Sequence, residues 1–294
     1  MTHRIHRTLR IDELEPRVAP AVLTIGGTTN YSFTDSEGNN VSVTLSGATG
    51  SVEILDASSG DPSGTDIDSI EYLSSDSTTN LTITVTGGTG DGITSVGSVD
   101  ATGDTIGSFV AEADLTDLTA GAMAGDLDIE NLYGTASVTN DITGTVTLRG
   151  VDGIHTGAML TSVNGSIGGL VFVDRGGNVD DPDLDGSVIA DNGSIGDILF
   201  DGRAHLFTGT VRAGQNVGNV TIDTFGINRC FTSTASITAT AGSIGNVNFT
   251  AVGATAHLGG TLQAGLDIGN IDVGGAGNVG GASGISGTVI AGHP

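Results

Sequence analysis

Lysine and tryptophan are absent from this 294-residue chain, which has a single cysteine and only 5 prolines. Its 9 basic residues, all arginine, face 34 acidic ones, for a formal net charge of −25. Recognition of nucleic acid through phosphate contacts needs the opposite sign, so that class is excluded. The same scarcity of base argues against a lyase acting on polyuronate, which must neutralise an acidic sugar. With Cys230 alone, no intramolecular disulfide and no cysteine-based zinc cluster can form, and a buried, inert thiol is expected. No apolar run reaches the length of a membrane-spanning helix or a signal-peptide core. Aromatic residues make up 4% of the chain, so the bulk of any core must be aliphatic.

Glycine is abundant instead, at 49 residues, but it lacks the every-third placement of collagen and sits among many Val, Ile and Thr residues. The sequence is organised around one phrase, running from Val188-Ile189-Ala190 through Ile195-Gly196 to Ile198 and Phe200, which returns in altered copies. Copies carry Ile167-Gly168 with Leu170 and Phe172, Val217-Gly218 with Val220 and Ile222, Ile244-Gly245 with Val247 and Phe249, and Ile268-Gly269 with Ile271 and Val273. An earlier one spans Val99 to Phe109. From Leu160 through Val188, Val211, Ile237 and Leu262 to Val289 the steps are 28, 23, 26, 25 and 27 residues, a period that marks stacked units. Within a copy the apolar residues alternate as in a strand, with a jog at the recurring Gly, and β-branched residues favour the pleat. The expected fold is all-β: a single-stranded right-handed parallel β-helix (a β-solenoid) with about 25 residues per rung, stacked at roughly 4.8 Å. In it Phe172, Phe200, Ile222, Phe249 and Val273 form one buried column. Glycines are expected at turns that need positive φ. Residues 116–150 read as degenerate rungs, and the 61 residues from Val99 to Leu160 suit two turns.

Three segments follow. Residues 86–294 are the solenoid repeats. Residues 21–85 are the N-terminal cap and first rungs, because Tyr31 and Phe33, a polar turn over Asp35–Asn40, and Val41, Val43 and Leu45 read as a β-hairpin that covers an otherwise open rung. Residues 1–20, with four of the arginines, are an export or targeting segment expected to be disordered. Within it, Leu14-Glu15-Pro16-Arg17 resembles the short N-terminal LEPR-type motif of large repeat-rich exported or surface proteins of planctomycete-like bacteria. That resemblance implies export and cell-surface or extracellular placement, and it implies no catalytic residue.

The connections Val173–Ser187, Asp201–Thr210 and Asp223–Ser236 take up the variation in step length, so they should emerge along one acidic edge, where function concentrates. One of them carries Asp181-Pro182-Asp183-Leu184-Asp185-Gly186, the first half of a calcium loop: three carboxylates at alternate positions followed by Gly. Asp181, Asp183 and Asp185 are therefore the candidate Ca²⁺ ligands, against the alternative of an ordinary acidic turn; position twelve is Asn192, where such a loop uses an acid. The function expected is a non-catalytic structural or adhesive module of an exported bacterial surface protein, with a matrix or cell-surface polysaccharide as a possible partner. The competing class is a carbohydrate-active β-helix enzyme, hydrolase or lyase, for which Asp174, Asp201 and Asp223 with Arg175, Arg203 and His205 would be the cluster. The unfinished rung phrase at Val289-Ile290 also suggests end-to-end self-association through residues 285–294, or continuation in a longer product.

Overall fold

The computed structural model describes residues 21–292 apart from 26–28, 56–65, 89, 174–182, 204–206, 226–230, 253–255 and 277–283. Cys230 and Asp181 thus lie outside the described residues. The described chain is all-β and forms a long, mostly parallel, solenoid-like sheet. The alternation read from the sequence is the alternation of burial: in Ser187–Ala190, Val188 and Ala190 are fully buried, while Ser187 and Ile189 face outward.

Three parallel ladders run along the stack. The first joins Thr135–Val138, Met159–Ser162, Ser187–Ala190, Thr210–Ala213, Ser236–Ala239, Thr261–Ala264 and Thr288–Ile290, with the pairs Leu160–Val188, Val188–Val211, Val211–Ile237, Ile237–Leu262 and Leu262–Val289. The second joins Phe109–Ala111, Leu127–Ile129, Ile142–Leu148, Ile167–Val173, Ile195–Arg203, Val220–Phe225, Val247–Val252 and Ile271–Ala276. It pairs Phe172 with Phe200, Phe200 with Ile222, Ile222 with Phe249 and Phe249 with Val273, the register expected of the buried column. The Phe172 and Phe200 rings lie 4.3 Å apart and nearly parallel.

The third ladder is invisible to a search for alternation. Single bridging residues, Leu115, Leu132, Ile154, Leu184, Phe207, Phe231 and Leu258, pair in parallel from rung to rung. The connections from Val173, Asp201 and Asp223 therefore do not stay at the edge; each returns one apolar side chain to the core before the next strand. Phe207 and Phe231 are fully buried and extend the aromatic column, with centroids 5.6 Å from Phe200 to Phe207 and 4.8 Å from Phe207 to Phe231. Leu184, Phe207 and Phe231 have no Val, Ile, Leu, Phe or Tyr two places away, so no strand alternation marks these segments in the sequence.

Two further expectations need correction. Val99 pairs with Leu118, Leu118 with Ala136 and Ala136 with Leu160, so the stretch from Val99 to Leu160 makes three short turns and not two. These rungs lack the long connections of the later ones. The recurring corner glycines do not serve positive φ, which is confined to others such as Gly38 at 89° in the hairpin turn. They serve close approach: a Cβ on Gly196 would sit 1.7 Å from the carbonyl oxygen of Gly168 in the rung before.

At the N-terminal end the parallel order gives way to antiparallel pairing. Asn30–Thr34 and Asn40–Ser46 form the expected hairpin, whose second strand pairs antiparallel with Asn80–Thr86. Ser51–Leu55 lies antiparallel between Ala21–Thr24 and Ile67–Ser74. Ile67–Ser74 and Asn80–Thr86 then pair in parallel with Thr94–Ile106 and Phe109–Ala111, so these two strands convert one order into the other. The junction is tied by the buried Asp66 carboxylate. It accepts from Ser36 N at 2.9 Å and Ser36 Oγ at 2.7 Å in the hairpin turn, and from Ser95 N at 3.1 Å and Ser95 Oγ at 3.0 Å in the first parallel rung. Burial pushes this carboxyl up, but the bonds from Ser36 and Ser95 together outweigh it and hold it below the ordinary Asp value.

Two outcomes are expected. Phe207→Ala should cost about 3–5 kcal/mol in thermal or denaturant unfolding, the range for a fully buried Phe; a loss under about 1 kcal/mol would mean that the third ladder does not carry the core. Because the folded Asp66 carboxyl sits below its unfolded value of about 3.9, its contribution is present above that pH and lost as pH falls through the folded value. Amide protection across Asn30–Ser46, taken relative to intrinsic exchange at each pH, should accordingly fall on acidification, and Asp66→Asn should show the lower protection already at neutral pH.

Candidate functional site

The strand corners on either side of the recurring Ile-Gly step carry two polar columns, and both are used to hold the repeat. In the first, Ser166 N donates to Asp141 Oδ1 at 2.7 Å, Ser194 N to Ser166 Oγ at 3.1 Å, Asn216 N to Ser194 Oγ at 3.2 Å and Ser243 N to Asn216 Oδ1 at 2.9 Å. In the second, Ser108 N donates to Asn80 Oδ1, Asp126 N to Ser108 Oγ and Thr145 N to Asp126 Oδ1, at 2.8 to 3.0 Å. After Gly169 it resumes, with Asn219 N on Asp197 Oδ1 at 2.7 Å, Asn246 N on Asn219 Oδ1 at 3.0 Å and Asn270 N on Asn246 Oδ1 at 3.0 Å. A tight corner turns backbone N–H groups out of the ladder, and a short side-chain acceptor one rung away satisfies each of them.

The residues expected to bind Ca²⁺ are only partly placed. Asp183 and Asp185 flank the buried Leu184 of the third ladder, with Asp183 O accepting from Ile154 N and Asp185 N donating to Ile154 O, both at 3.0 Å. Asp185 Oδ1 is taken by the Thr208 hydroxyl of the next rung. No cluster of three acid, His or Cys side chains suited to a metal occurs among the described residues. Of the carboxylates considered for catalysis, Asp201 and Asp223 share one register position on adjacent rungs, but the partner of Asp201 in the preceding rung is Val173. Asp174, Arg175 and His205 lie outside the described residues. The Asp223 Oδ1 is enclosed and has no hydrogen-bond partner among the described residues.

Two features that sequence reading missed lie on the short rungs. The first is a surface depression of about 350 Å³ lined by the carboxylates Glu112, Asp128 and Glu130 and by Arg149, with Ile83, Val110 and Ala111 as an apolar floor. Arg149 grips Asp128 through two nitrogens, Nε to Oδ1 at 2.6 Å and a terminal nitrogen to Oδ2 at 2.5 Å. The Asp128 bond, against partial burial, pushes the guanidinium further up, with the charges of Asp128 and Glu130 adding to it. Glu112 accepts from Val85 N at 2.5 Å, which ties the depression to the cap. Glu112, Glu130 and Arg149 each follow the end of a second-ladder strand, so the signal was present but needed the three-turn register to be seen.

The second feature is the exposed pair Tyr133 and His155, which follow Leu132 and Ile154 in the third ladder. Their rings lie 5.3 Å apart at 42°. Tyr133 Oη donates to Asp152 Oδ2 at 2.8 Å. Asp152 is itself set by the buried Asn131, whose Oδ1 accepts from Asp152 N at 2.9 Å and Gly153 N at 2.8 Å, while its Nδ2 donates to Asp114 Oδ1 at 2.7 Å. Burial, then the Asp152 bond and the charges of Asp114 and Asp152, push the Tyr133 phenol well up. No model of a known protein family, no curated protein and no solved structure matches the chain.

Asn219→Ala is expected to remove the acceptor for Asn246 N and to cost about 1 kcal/mol. The amide of Asn246 should exchange faster by nuclear magnetic resonance, with that of Phe249 unchanged; equal acceleration or no change at both would mean that the column does not bear on the corner.

Proposed function

We propose that this chain is a non-catalytic structural or adhesive module of an exported bacterial surface protein, built as a right-handed parallel β-helix of about 25 residues per rung. The observation that carries the reading is the fate of the polar side chains. Corner carboxylates, amides and hydroxyls from Asn80 to Asn246 accept backbone N–H groups of the neighbouring rung, so they hold a wall together and do not converge on a reacting atom. The lysine-free, strongly acidic body supports a surface that stays soluble and resists edge pairing. The resemblance of Leu14–Arg17 to the LEPR-type motif supports export.

Weak Ca²⁺ binding by Asp181, Asp183 and Asp185 belongs to this reading, since oxygen ligands on an acidic edge suit a hard cation. The enzyme reading has one observation in its favour, the in-register Asp201 and Asp223 with the enclosed Asp223 oxygen.

Brief protease treatment of intact native cells, followed by fractionation, is expected to release fragments of the chain into the medium. Full-length chain recovered from the cytoplasm and untouched by protease would overturn the reading. Millimolar Ca²⁺ should raise the melting temperature of the purified chain by mass action, and Asp183→Asn with Asp185→Asn should remove the rise; no shift and no calorimetric heat would eliminate the metal.

A further inference from the structure

We propose that Tyr133 and His155, backed by Asp152 and continued by Asp185 and Thr208, form a strip that binds an uncharged linear polysaccharide running along the stack. The inference rests on the reading as a surface module and names its ligand class and its residues. Tyr133 is the only exposed Phe or Tyr among the residues whose side chains are described, in a chain with 3 Tyr and no Trp. A single exposed aromatic is ordinary on a protein surface. This one is held in place from the next rung by the 2.8 Å bond to Asp152, itself set by a buried Asn131. A ring fixed before the ligand arrives loses little freedom on binding, which is what makes a tyrosine an anchor. Its apolar face suits the C–H face of a pyranose, and its polar tip is already satisfied.

The remaining groups sit in the same file. Tyr133, His155, Asp185 and Thr208 each follow the bridging residue of their rung, with Tyr133 N on Leu115 O, His155 N on Leu132 O, Asp185 N on Ile154 O and Thr208 N on Leu184 O, at 2.9 to 3.0 Å. One side chain per rung, at a spacing of roughly 4.8 Å, gives a straight row. His155 Nδ1 meets Thr156 O at 3.1 Å, and a carbonyl only accepts, so in the neutral ring Nδ1 carries the proton and Nε2 is left as an acceptor. The carboxylates of Asp152 and Asp185 also only accept. A row of acceptors beside an aromatic face matches the hydroxyl donors of a sugar chain, and the net charge of −25 disfavours a polyuronate. The row spans four rungs and is exposed at Tyr133 and His155, which suits a polymer and not an enclosed small molecule.

The test is native affinity electrophoresis of the full chain in gels containing hydroxyethylcellulose, xylan or galactomannan, with polygalacturonate as the acidic control. Retardation is expected in at least one neutral polymer, reduced at least tenfold in apparent affinity by Tyr133→Ala and largely kept by Tyr133→Phe, with melting temperatures unchanged because the ring is exposed. No retardation by any neutral polymer, equal retardation of Tyr133→Ala, or equal retardation by polygalacturonate would overturn the inference. Surface location is read separately: a chain released from intact cells that binds none of these polymers loses this inference alone, and a protease-protected cytoplasmic chain with Tyr133-dependent binding loses only the surface reading.

Discussion

Backbone pairing between successive rungs is the constraint on which everything else in this molecule depends. Parallel hydrogen bonds fix each residue directly above its counterpart, so every position in a rung becomes a column with one environment. A column that faces inward must be apolar along its length, as in the file from Leu160 to Val289, buried until Leu262 and half-exposed at Val289. A column at a tight corner must supply acceptors for N–H groups turned out of the ladder, which is the service of Asp197, Asn219 and Asn246. A column where backbones nearly touch must be glycine, as at Gly168 and Gly196. Each rung alone would bury too little to offset the entropy of ordering it.

The same constraint separates the regular part of the surface from the variable part. Strands and corners cannot change length without breaking columns, so insertions collect between the end of the second ladder and the third. Two residues, Glu130 and Asn131, make this passage between Ile129 and Leu132, whereas later rungs take long connections there. Both the depression around Arg149 and the aromatic pair at Tyr133 and His155 are found on the short rungs. The cap solves a different problem. An antiparallel hairpin cannot continue a parallel ladder, so Ile67–Ser74 and Asn80–Thr86 each pair antiparallel on one edge and parallel on the other. The Asp66 carboxylate bridges that change of order, gripping the hairpin turn and the first parallel rung at once.

What the amino-acid sequence determined by itself was the repeat: strand type, inward residues, the register from Leu160 to Val289, the stacking of Phe172 on Phe200, and the hairpin of residues 30–46. Those features rest on periodicity, which is local and survives without coordinates. Only the tertiary structure decided which isolated residues return to the core, how many turns separate Val99 from Leu160, and which acids and aromatics meet. Leu184 and Phe207 have no Val, Ile, Leu, Phe or Tyr two places away to set a strand period, and the short rungs keep their columns while losing the phrase that marks a repeat. Tyr133 and Asp152 meet for the same reason: they are 19 residues apart in sequence but neighbours across one rung, and that distance is set by hydrogen bonds between strands, not by anything either residue carries in its own segment.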